Sequence, residues 1–307
     1  MDNKSSMTAL IASFSRVYHA EFDEPKIFHD PIAWQLMTDE EYQQIIGHMI
    51  SGLDFFGPEM KSKLTEPADI LKWVVQTQLA PTPLARARYC EDMVMNAIKM
   101  GAGQYVILGA GMDTFAYRNH ELMKNIHVFE VDHPETQAFK KMKVAQAGWV
   151  IPDNLHYVPV DFIKDDLAAE LLNSGFDTKK ITFFSWLGVT FYLEKKDIAN
   201  MIKTISSLAP QGSGLLFDYP DENFLASDVK RVQNQIAMAL AAGEPMKPGF
   251  CYEELEQLLA EYGFLIYEHL TAADIESRFF AGRSDYLHAF EHINYALAVK
   301  KISKEAK

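Results

Sequence analysis

The pattern of hydrophobic and polar residues divides the chain into two regions. Up to about residue 100, apolar residues recur every three or four positions, which is the period of an amphipathic helix. Beyond that point, short apolar runs alternate with helical segments, and this alternation is typical of a parallel sheet covered by helices on both faces. We therefore predict a helical cap over residues 1–100 and an α/β domain over residues 101–307, packed together as one compact unit.

Local signals place the elements within each region. In the first region the predicted helices are 7–18, 31–37, 70–78 and 84–100, with a glycine- and proline-containing loop at about 51–66. In the second region the predicted strands are 105–108, 127–131, 156–160, 181–185, 214–218, 264–269 and 293–299. The helices predicted between them are near 134–147, 195–208, 222–241 and 252–262.

The segment that joins the last two strands lacks strong helical periodicity, so we expect an antiparallel end to the sheet. The predicted fold is therefore of the α/β class. It has a seven-stranded, mostly parallel, doubly wound sheet whose last strand is antiparallel, together with the N-terminal helical cap.

Composition excludes several classes of function. The net charge of −13, from 42 acidic and 29 basic residues, argues against nucleic acid and against anionic membranes as partners. The two cysteines, Cys90 and Cys251, are far apart and form no metal-binding spacing, so we expect neither a disulfide framework nor a metal centre. The chain begins without a signal-peptide pattern and has no apolar run long enough for a membrane helix. These features predict a soluble, cytoplasmic protein, and its oligomeric state cannot be read from them.

The first predicted strand ends in a glycine turn. Gly109-Ala110-Gly111 follows four apolar residues, and Asp113 and Thr114 then offer helix N-cap chemistry. Strand, glycine turn and helix form the cradle by which α/β sheets hold nucleotide-like ligands, because glycine lets a ligand approach the backbone. Thr114 stands where a dinucleotide fingerprint has its third glycine, so the motif alone is equally consistent with a simple turn.

Acidic residues follow the next two strands. Glu130 and Asp132 lie about twenty residues after the glycine turn, where an acidic side chain grips ribose hydroxyls in nucleotide-binding folds, and their spacing puts both on one strand face. Asp161 could bind an adenine amino group while the ring of Phe162 packs on the base. The alternative for each acid is a helix N-cap, and for Phe162 it is a place in the core.

The fourth strand continues into an aromatic loop. Ser185 ends the predicted strand, Trp186 follows it, and Phe191 and Tyr192 precede the next helix. A substrate pocket is expected at this edge of an α/β sheet, although any single aromatic residue could equally belong to the core. We find no Ser/His/Asp set for nucleophilic catalysis.

Taken together, these segments resemble the leucine carboxyl methyltransferase superfamily. The motifs that carry the resemblance are Leu108-Gly109-Ala110-Gly111-Met112-Asp113-Thr114, Tyr117-Arg118, Phe129-Glu130-Val131-Asp132-His133-Pro134, Val160-Asp161-Phe162 and Tyr192-Leu193. Segments of the cap and of the last strand are similar as well, namely Phe28-His29-Asp30-Pro31-Ile32-Ala33, Arg86-Ala87-Arg88-Tyr89 and Asn294-Tyr295-Ala296-Leu297-Ala298-Val299.

This resemblance implies a Rossmann-like class I methyltransferase that uses S-adenosyl-L-methionine. The implied cofactor-binding residues are Arg86, Arg88, Gly109, Ala110, Gly111, Glu130, Asp132, Asp161, Phe162, Ser185 and Trp186, with Tyr192 as the catalytic residue. Arg86 or Arg88, with Arg16 as a further candidate, would hold the cofactor carboxylate, because the planar guanidinium pairs a carboxylate bidentately. The alternative for Arg86 and Arg88 is a surface salt bridge with Glu91 or Asp92.

One position departs from the family pattern. Many relatives carry Glu-Gly where this chain has Leu187-Gly188, so a carboxylate near the cofactor amino group or the substrate is absent. We interpret this as an altered substrate rather than a loss of activity. The predicted function is methyl transfer to a carboxylate or hydroxyl oxygen of a small acid or phenol, apolar or aromatic in character. The alternatives are an NAD-dependent oxidoreductase and a catalytically silent S-adenosylmethionine-binding protein.

Overall fold

The computed structural model describes residues 4–302. Residues 1–3 and 303–307, which belong to the predicted cap and α/β domain, lie outside the described residues. The side chain of Met7, which the sequence pattern placed on the apolar face of the first helix, also lies outside the description.

All seven predicted strands are present in the predicted succession, whereas predicted helix 31–37 is a 3-10 helix over Ala33–Leu36 and several helices were not predicted. The helices are α1 Lys4–Phe22, α2 Asp39–Ser51, α3 Leu53–Phe56, α4 Pro67–Val74, α5 Pro81–Lys99, α6 Phe115–Arg118, α7 Pro134–Gln146, α8 Leu167–Asn173, α9 Lys195–Leu208, α10 Lys230–Ala241, α11 Tyr252–Glu261 and α12 Ala272–Ile275. The strands are β1 Gln104–Leu108, β2 His127–Asp132, β3 Leu155–Pro159, β4 Thr182–Trp186, β5 Gly214–Pro220, β6 Phe264–Leu270 and β7 Ile293–Lys300.

The seven strands form one mixed sheet in the order β3-β2-β1-β4-β5-β7-β6. Strands β1 to β5 pair in parallel, while β7 is antiparallel to both β5 and β6. The prediction of a mostly parallel sheet with an antiparallel last strand is confirmed. Strand order reverses beside β1, so the carboxyl ends of β1 and β4 flank the crevice where such folds bind ligands.

Several local elements differ from the sequence prediction. Helix α2 begins at a capping box in which Thr38 and Glu41 satisfy each other's backbone N–H groups, a short signal that apolar periodicity does not reveal. Helix α8 was not predicted. It begins after Asp166, whose side chain accepts hydrogen bonds from the backbone N–H groups of Ala168 and Ala169 and so caps the helix. Residues 51–66, predicted as a loop, contain α3 and a turn of 3-10 helix at Pro58–Met60.

Apolar side chains cover both faces of the sheet. Tyr105 and Ile107 of β1 face one cluster, which also contains Leu10 of α1 and Tyr89 of α5. Val106 and Leu108 of the same strand face the other cluster, beneath α8, α9 and α11. The cap therefore shares a continuous core with one face of the sheet. Among the helices of residues 4–302, none combines the length and the apolar character needed to cross a membrane.

Candidate active site

A cavity of about 380 Å³ opens at the carboxyl ends of the parallel strands, within the range of about 300–1,000 Å³ that is usual for small-molecule sites. Its walls come from the ends of β1, β2 and β4, from the segment after β3, and from helices α1 and α5. The predicted site residues that line it are Arg16, Arg86, Gly109, Ala110, Gly111, Asp132, Asp161, Phe162, Ser185 and Tyr192.

The glycine turn forms the floor of the cavity beside β1. Gly109 and Gly111 have φ angles of 76° and 49°, in the left-handed region that glycine adopts without strain. A β-carbon at position 109 would collide with the Val189 side chain, and one at position 111 would lie 3.4 Å from the Ala9 β-carbon. Glycine at positions 109 and 111 therefore allows the close packing of Val189 and Ala9 as well as the approach of a ligand to the backbone. Ala110, between the two glycines, lines the cavity.

Asp132 occupies the end of β2 and faces the glycine turn. Its Oδ2 accepts the Gly111 N–H at 2.5 Å, and its Oδ1 accepts the His133 N–H at 2.7 Å. Burial raises the pKa of Asp132, while these two N–H bonds act in the opposite direction. Each carboxylate oxygen keeps a second acceptor position, so Asp132 can receive two hydroxyl groups from a ligand such as a ribose.

Asp161 and Phe162 lie just after β3 on the same side of the cavity. Asp161 accepts hydrogen bonds from the Ile163 N–H at 3.0 Å and from Lys164 at 2.7 Å. The hydrogen bond from Lys164 lowers the pKa of this carboxyl. His133 Nε2 is 3.9 Å from Asp161 Oδ2, which brings the ends of β2 and β3 together at one edge of the cavity.

Two arginines of the cap reach the cavity, and each is anchored. Arg16 of α1 donates to the Met112 carbonyl at 2.5 Å and lies 3.2 Å from Asp30. Arg86 of α5 lies 3.0 Å from Asp218 of β5. Because each guanidinium carries five N–H donors in a fixed plane, these contacts orient the group and leave other donors for a ligand.

Three of the predicted cofactor-binding residues, Arg88, Glu130 and Trp186, do not line the cavity. Arg88 is exposed on α5 and pairs with Asp92 at 2.9 Å, which is the surface salt bridge weighed as its alternative. Arg88 is two residues after Arg86, which rotates its side chain by about 200° around the helix axis, so only one of the two can face the sheet. Arg88 therefore has no part in the site proposed below.

Glu130 and Trp186 are buried instead of lining the cavity. Glu130 shares a strand face with Asp132, but it lies about 6.6 Å farther from the strand end, where it pairs with the buried Lys140 of α7. Burial raises the pKa of Glu130 to about 7. Trp186 points to the opposite face of the sheet from Ser185, because side chains alternate along a strand, and it packs near Phe217.

The side of the cavity near α5 and β4 has a different character. Leu187, Tyr192 and Pro83 line it together with Glu244, which comes from the segment after α10. Glu244 accepts a hydrogen bond from Thr8 of α1 at 3.2 Å. Burial, reinforced by the Glu244 charge, raises the pKa of Tyr192 to about 12. Tyr192 therefore remains a neutral phenol that can donate a hydrogen bond at neutral pH.

Sequence reasoning missed Glu244 and also Arg118, which borders the cavity and pairs with Glu91 at 2.6 Å. Arg118 belongs to the Tyr117-Arg118 motif, so its presence in that motif was a usable signal. Glu244 stands in a region without a strand-end pattern, and no local signal marks it. Across residues 4–302, no group of three or more His, Cys, Asp or Glu side chains is arranged to hold a metal ion.

Comparison with known proteins agrees with this geometry. The family model described as leucine carboxyl methyltransferase matches residues 9–206. The Bacillus subtilis (strain 168) protein named "Putative S-adenosyl-L-methionine-dependent methyltransferase YktD" is 49% identical over 302 residues, covering 97% of this chain and 99% of its own length. A Mycobacterium marinum protein named as a methyltransferase of the same kind is 30% identical over 213 residues, covering 69% of this chain and 68% of its own.

Solved structures are similar in fold at low sequence identity. A DUF574 family protein from Streptomyces avermitilis matches with a TM-score of 0.54 and 12% identity, covering 94% of this chain and 96% of that one. A Thermobifida fusca protein whose structure is described as that of a putative methyltransferase matches with a TM-score of 0.53 and 14% identity, covering 94% of each chain. These matches support the class I methyltransferase fold of the sheet.

Proposed function

The chain belongs to the leucine carboxyl methyltransferase family and is an S-adenosylmethionine-dependent methyltransferase, and on this premise we propose that it methylates a carboxylate or hydroxyl oxygen of a small molecule. The observation that carries the proposal is that one cavity holds the glycine turn, Asp132, Asp161 and two cap arginines and is also lined by Tyr192 and Glu244, which offer a hydroxyl and a carboxylate to an oxygen acceptor. Each of these groups has chemistry that suits one part of the cofactor.

The residues fit the cofactor part by part. We assign Asp132 to the ribose hydroxyls, and Asp161 with Phe162 to the adenine. Arg86 and Arg16 are the candidates for the carboxylate, because both present guanidinium groups to the cavity. Ser185 and the backbone at Ala110 would border the methionine part.

S-adenosylmethionine, when bound, supplies a methyl group already activated by its sulfonium. The protein then has to hold the acceptor oxygen in line with that methyl group and keep water away. Leu187 and Pro83 make the acceptor side apolar, and the Tyr192 hydroxyl is available to donate a hydrogen bond to the acceptor. We propose that Tyr192 orients the acceptor and does not remove its proton, because its own pKa is high.

The choice between the two kinds of oxygen depends on a base. A carboxylate is ionised at neutral pH and needs none, whereas a phenol must lose its proton. Glu244 is the carboxylate on the Tyr192 side of the cavity and is the candidate to receive that proton. We therefore favour testing acids and phenols in parallel, with Glu244→Gln expected to slow only the phenols.

Calorimetric titration tests the proposal directly. The wild-type protein is expected to bind S-adenosylhomocysteine and not NADH. In a separate assay with labelled S-adenosylmethionine, we expect methyl transfer to oxygen in a panel of aromatic acids, phenols and amines. NADH binding without S-adenosylhomocysteine binding at millimolar concentration would contradict the cofactor assignment. Methylation confined to nitrogen or carbon acceptors would contradict the oxygen assignment.

A further inference from the structure

Asp218 is a fully buried carboxylate beside the cavity, and its relative exposure is 0%. It joins three separate segments of the chain. Its Oδ2 accepts from Arg86 at 3.0 Å, its Oδ1 accepts the Gly188 N–H at 2.7 Å, and its backbone carbonyl accepts the Thr190 hydroxyl at 2.5 Å. Strand β5 is thereby tied both to helix α5 and to the segment that follows β4.

The Arg86 guanidinium lies close to Gly188, with its two terminal nitrogens nearest. A β-carbon at position 188 would be 2.6 Å from both terminal nitrogens of Arg86, so any side chain there would displace the guanidinium. Gly188 also has a φ of 74°, which disfavours any other residue. The Arg86 guanidinium thus contacts Asp218 and Gly188 and also lines the cavity.

This arrangement gives Arg86 one orientation. A buried carboxylate is stable only when a cation and hydrogen-bond donors compensate its lost hydration. Arg86 supplies the cation and Gly188 supplies an N–H, so releasing Arg86 would leave Asp218 buried with its charge uncompensated. The Arg86 side chain is 20% exposed, and the exposed part faces the cavity.

We propose that Asp218 is a positioning residue that holds Arg86 against Gly188 and so directs its free N–H groups toward the carboxylate of the cofactor's amino-acid part. This inference rests on the proposed function, because it needs S-adenosylmethionine as the ligand. Asp218 does not touch the cofactor in this arrangement. Its effect passes through Arg86 and is confined to ligands that carry the amino-acid part.

Two ligands separate this role from a general structural one. S-adenosylhomocysteine carries the carboxylate, whereas 5′-methylthioadenosine has the same adenosine and sulfur without the amino-acid part. By calorimetric titration, Asp218→Asn is expected to weaken binding of S-adenosylhomocysteine about tenfold or more and to leave binding of 5′-methylthioadenosine within about twofold. Asp221→Asn is the matched control, because Asp221 follows the same strand but pairs with His292 outside this cavity, and it should change neither affinity.

A second pair of variants tests the same orientation without removing the carboxylate. Gly188→Ala would push the Arg86 guanidinium aside, whereas Gly175→Ala, with a φ of 91° and open space around its β-carbon, shares only the backbone strain. We expect the selective loss of S-adenosylhomocysteine affinity in Gly188→Ala alone. Unchanged affinity in folded Asp218→Asn and Gly188→Ala, or equal losses for both ligands, would overturn the positioning role. A wild-type protein that binds neither ligand would instead overturn the proposed function.

Discussion

The two oxygens of Asp132 each accept one backbone N–H, from His133 and from Gly111. These bonds hold the carboxylate at the end of β2 with its remaining acceptor positions toward the cavity. Glu130, on the same face of the strand, is covered by α7 and pairs with Lys140. Asp132, at the end of the strand, can therefore contact a ligand, whereas Glu130, two residues earlier, is buried in the protein interior.

Replacing Asp132 by asparagine should weaken cofactor binding. The amide is neutral and has one acceptor oxygen, so we expect the affinity for S-adenosylhomocysteine to fall about tenfold or more, which corresponds to about 1.5–3 kcal/mol for charge-assisted hydrogen bonds. Glu135→Gln removes an exposed acid of the neighbouring helix turn and should have no such effect. Equal affinities of Asp132→Asn and wild type in calorimetry would remove Asp132 from the ribose site.

Tyr192→Phe should impair the acceptor more than the cofactor. The lost hydroxyl donor is expected to lower kcat/KM for the acceptor about tenfold, while the affinity for S-adenosylhomocysteine stays unchanged. Because burial raises the Tyr192 pKa to about 12, the wild-type rate should show no ionisation of this group between pH 6 and 9. A rate that rises with pH in wild type and is flat in Tyr192→Phe would show that Tyr192 acts as a base.

At the scale of elements, the neighbouring strands β2 and β3 carry a pair of histidines near their N-terminal ends. His127 Nδ1 and His156 Nε2 are 3.0 Å apart and the rings stack, so one ring must donate and the other accept. Burial lowers the pKa of both histidines, and the neighbouring His127 lowers that of His156 further. The pair is therefore most stable when neither ring is charged.

This pair predicts a loss of stability in mild acid. Since the folded-state pKa values lie below the unfolded value of about 6.5, the stabilising contribution is present above about pH 6.5 and is lost as the pH falls through the folded values. The decrease in Tm between pH 7.5 and 5.5 should be smaller in His156→Gln than in wild type. His120→Gln, at an exposed histidine, should keep the wild-type decrease, and an equal decrease in all three proteins would contradict the prediction.

At the scale of the whole molecule, the cap and the sheet share one apolar core. Leu10 and Phe14 of α1 belong to the same cluster as Tyr105 of β1 and Tyr295 of β7. Polar contacts add to this, since Arg86 joins α5 to β5 and Arg16 joins α1 to the glycine-turn segment. The cavity depends on this packing, because the cap helices α1 and α5 form one part of its wall and the strand ends of the α/β region form the other.

We expect the cap and the α/β region to unfold together. Thermal unfolding followed by far-ultraviolet circular dichroism and by tryptophan fluorescence should give coincident transitions, as in a two-state protein. Saturating S-adenosylhomocysteine should move that single transition to higher temperature, because the ligand binds the folded state. Two separated transitions, with only one of them shifted by the ligand, would show that residues 1–100 fold independently.

Local patterns in the sequence determined which segments form strands, their succession along the chain, and the motifs at their ends. Apolar runs identify buried strands whatever their neighbours are, and parallel strands bring their carboxyl ends to one edge. That is why Gly109–Gly111, Asp132 and Asp161 could be expected in one crevice. Apolar periodicity left the capped helices α2 and α8 unpredicted, since the signals at their starts are side-chain hydrogen bonds.

Only the tertiary structure decided which of the candidate side chains reach the cavity. Arg86 and Asp218 are 132 residues apart in sequence, and Glu244 arrives from a segment beyond β5, so no spacing rule connects them to the glycine turn. Arg88, Glu130 and Trp186 carry suitable chemistry but are directed elsewhere by helix rotation, depth and strand alternation. Sequence periodicity reports local burial, whereas a binding site is made by side chains that packing brings together from distant parts of the chain.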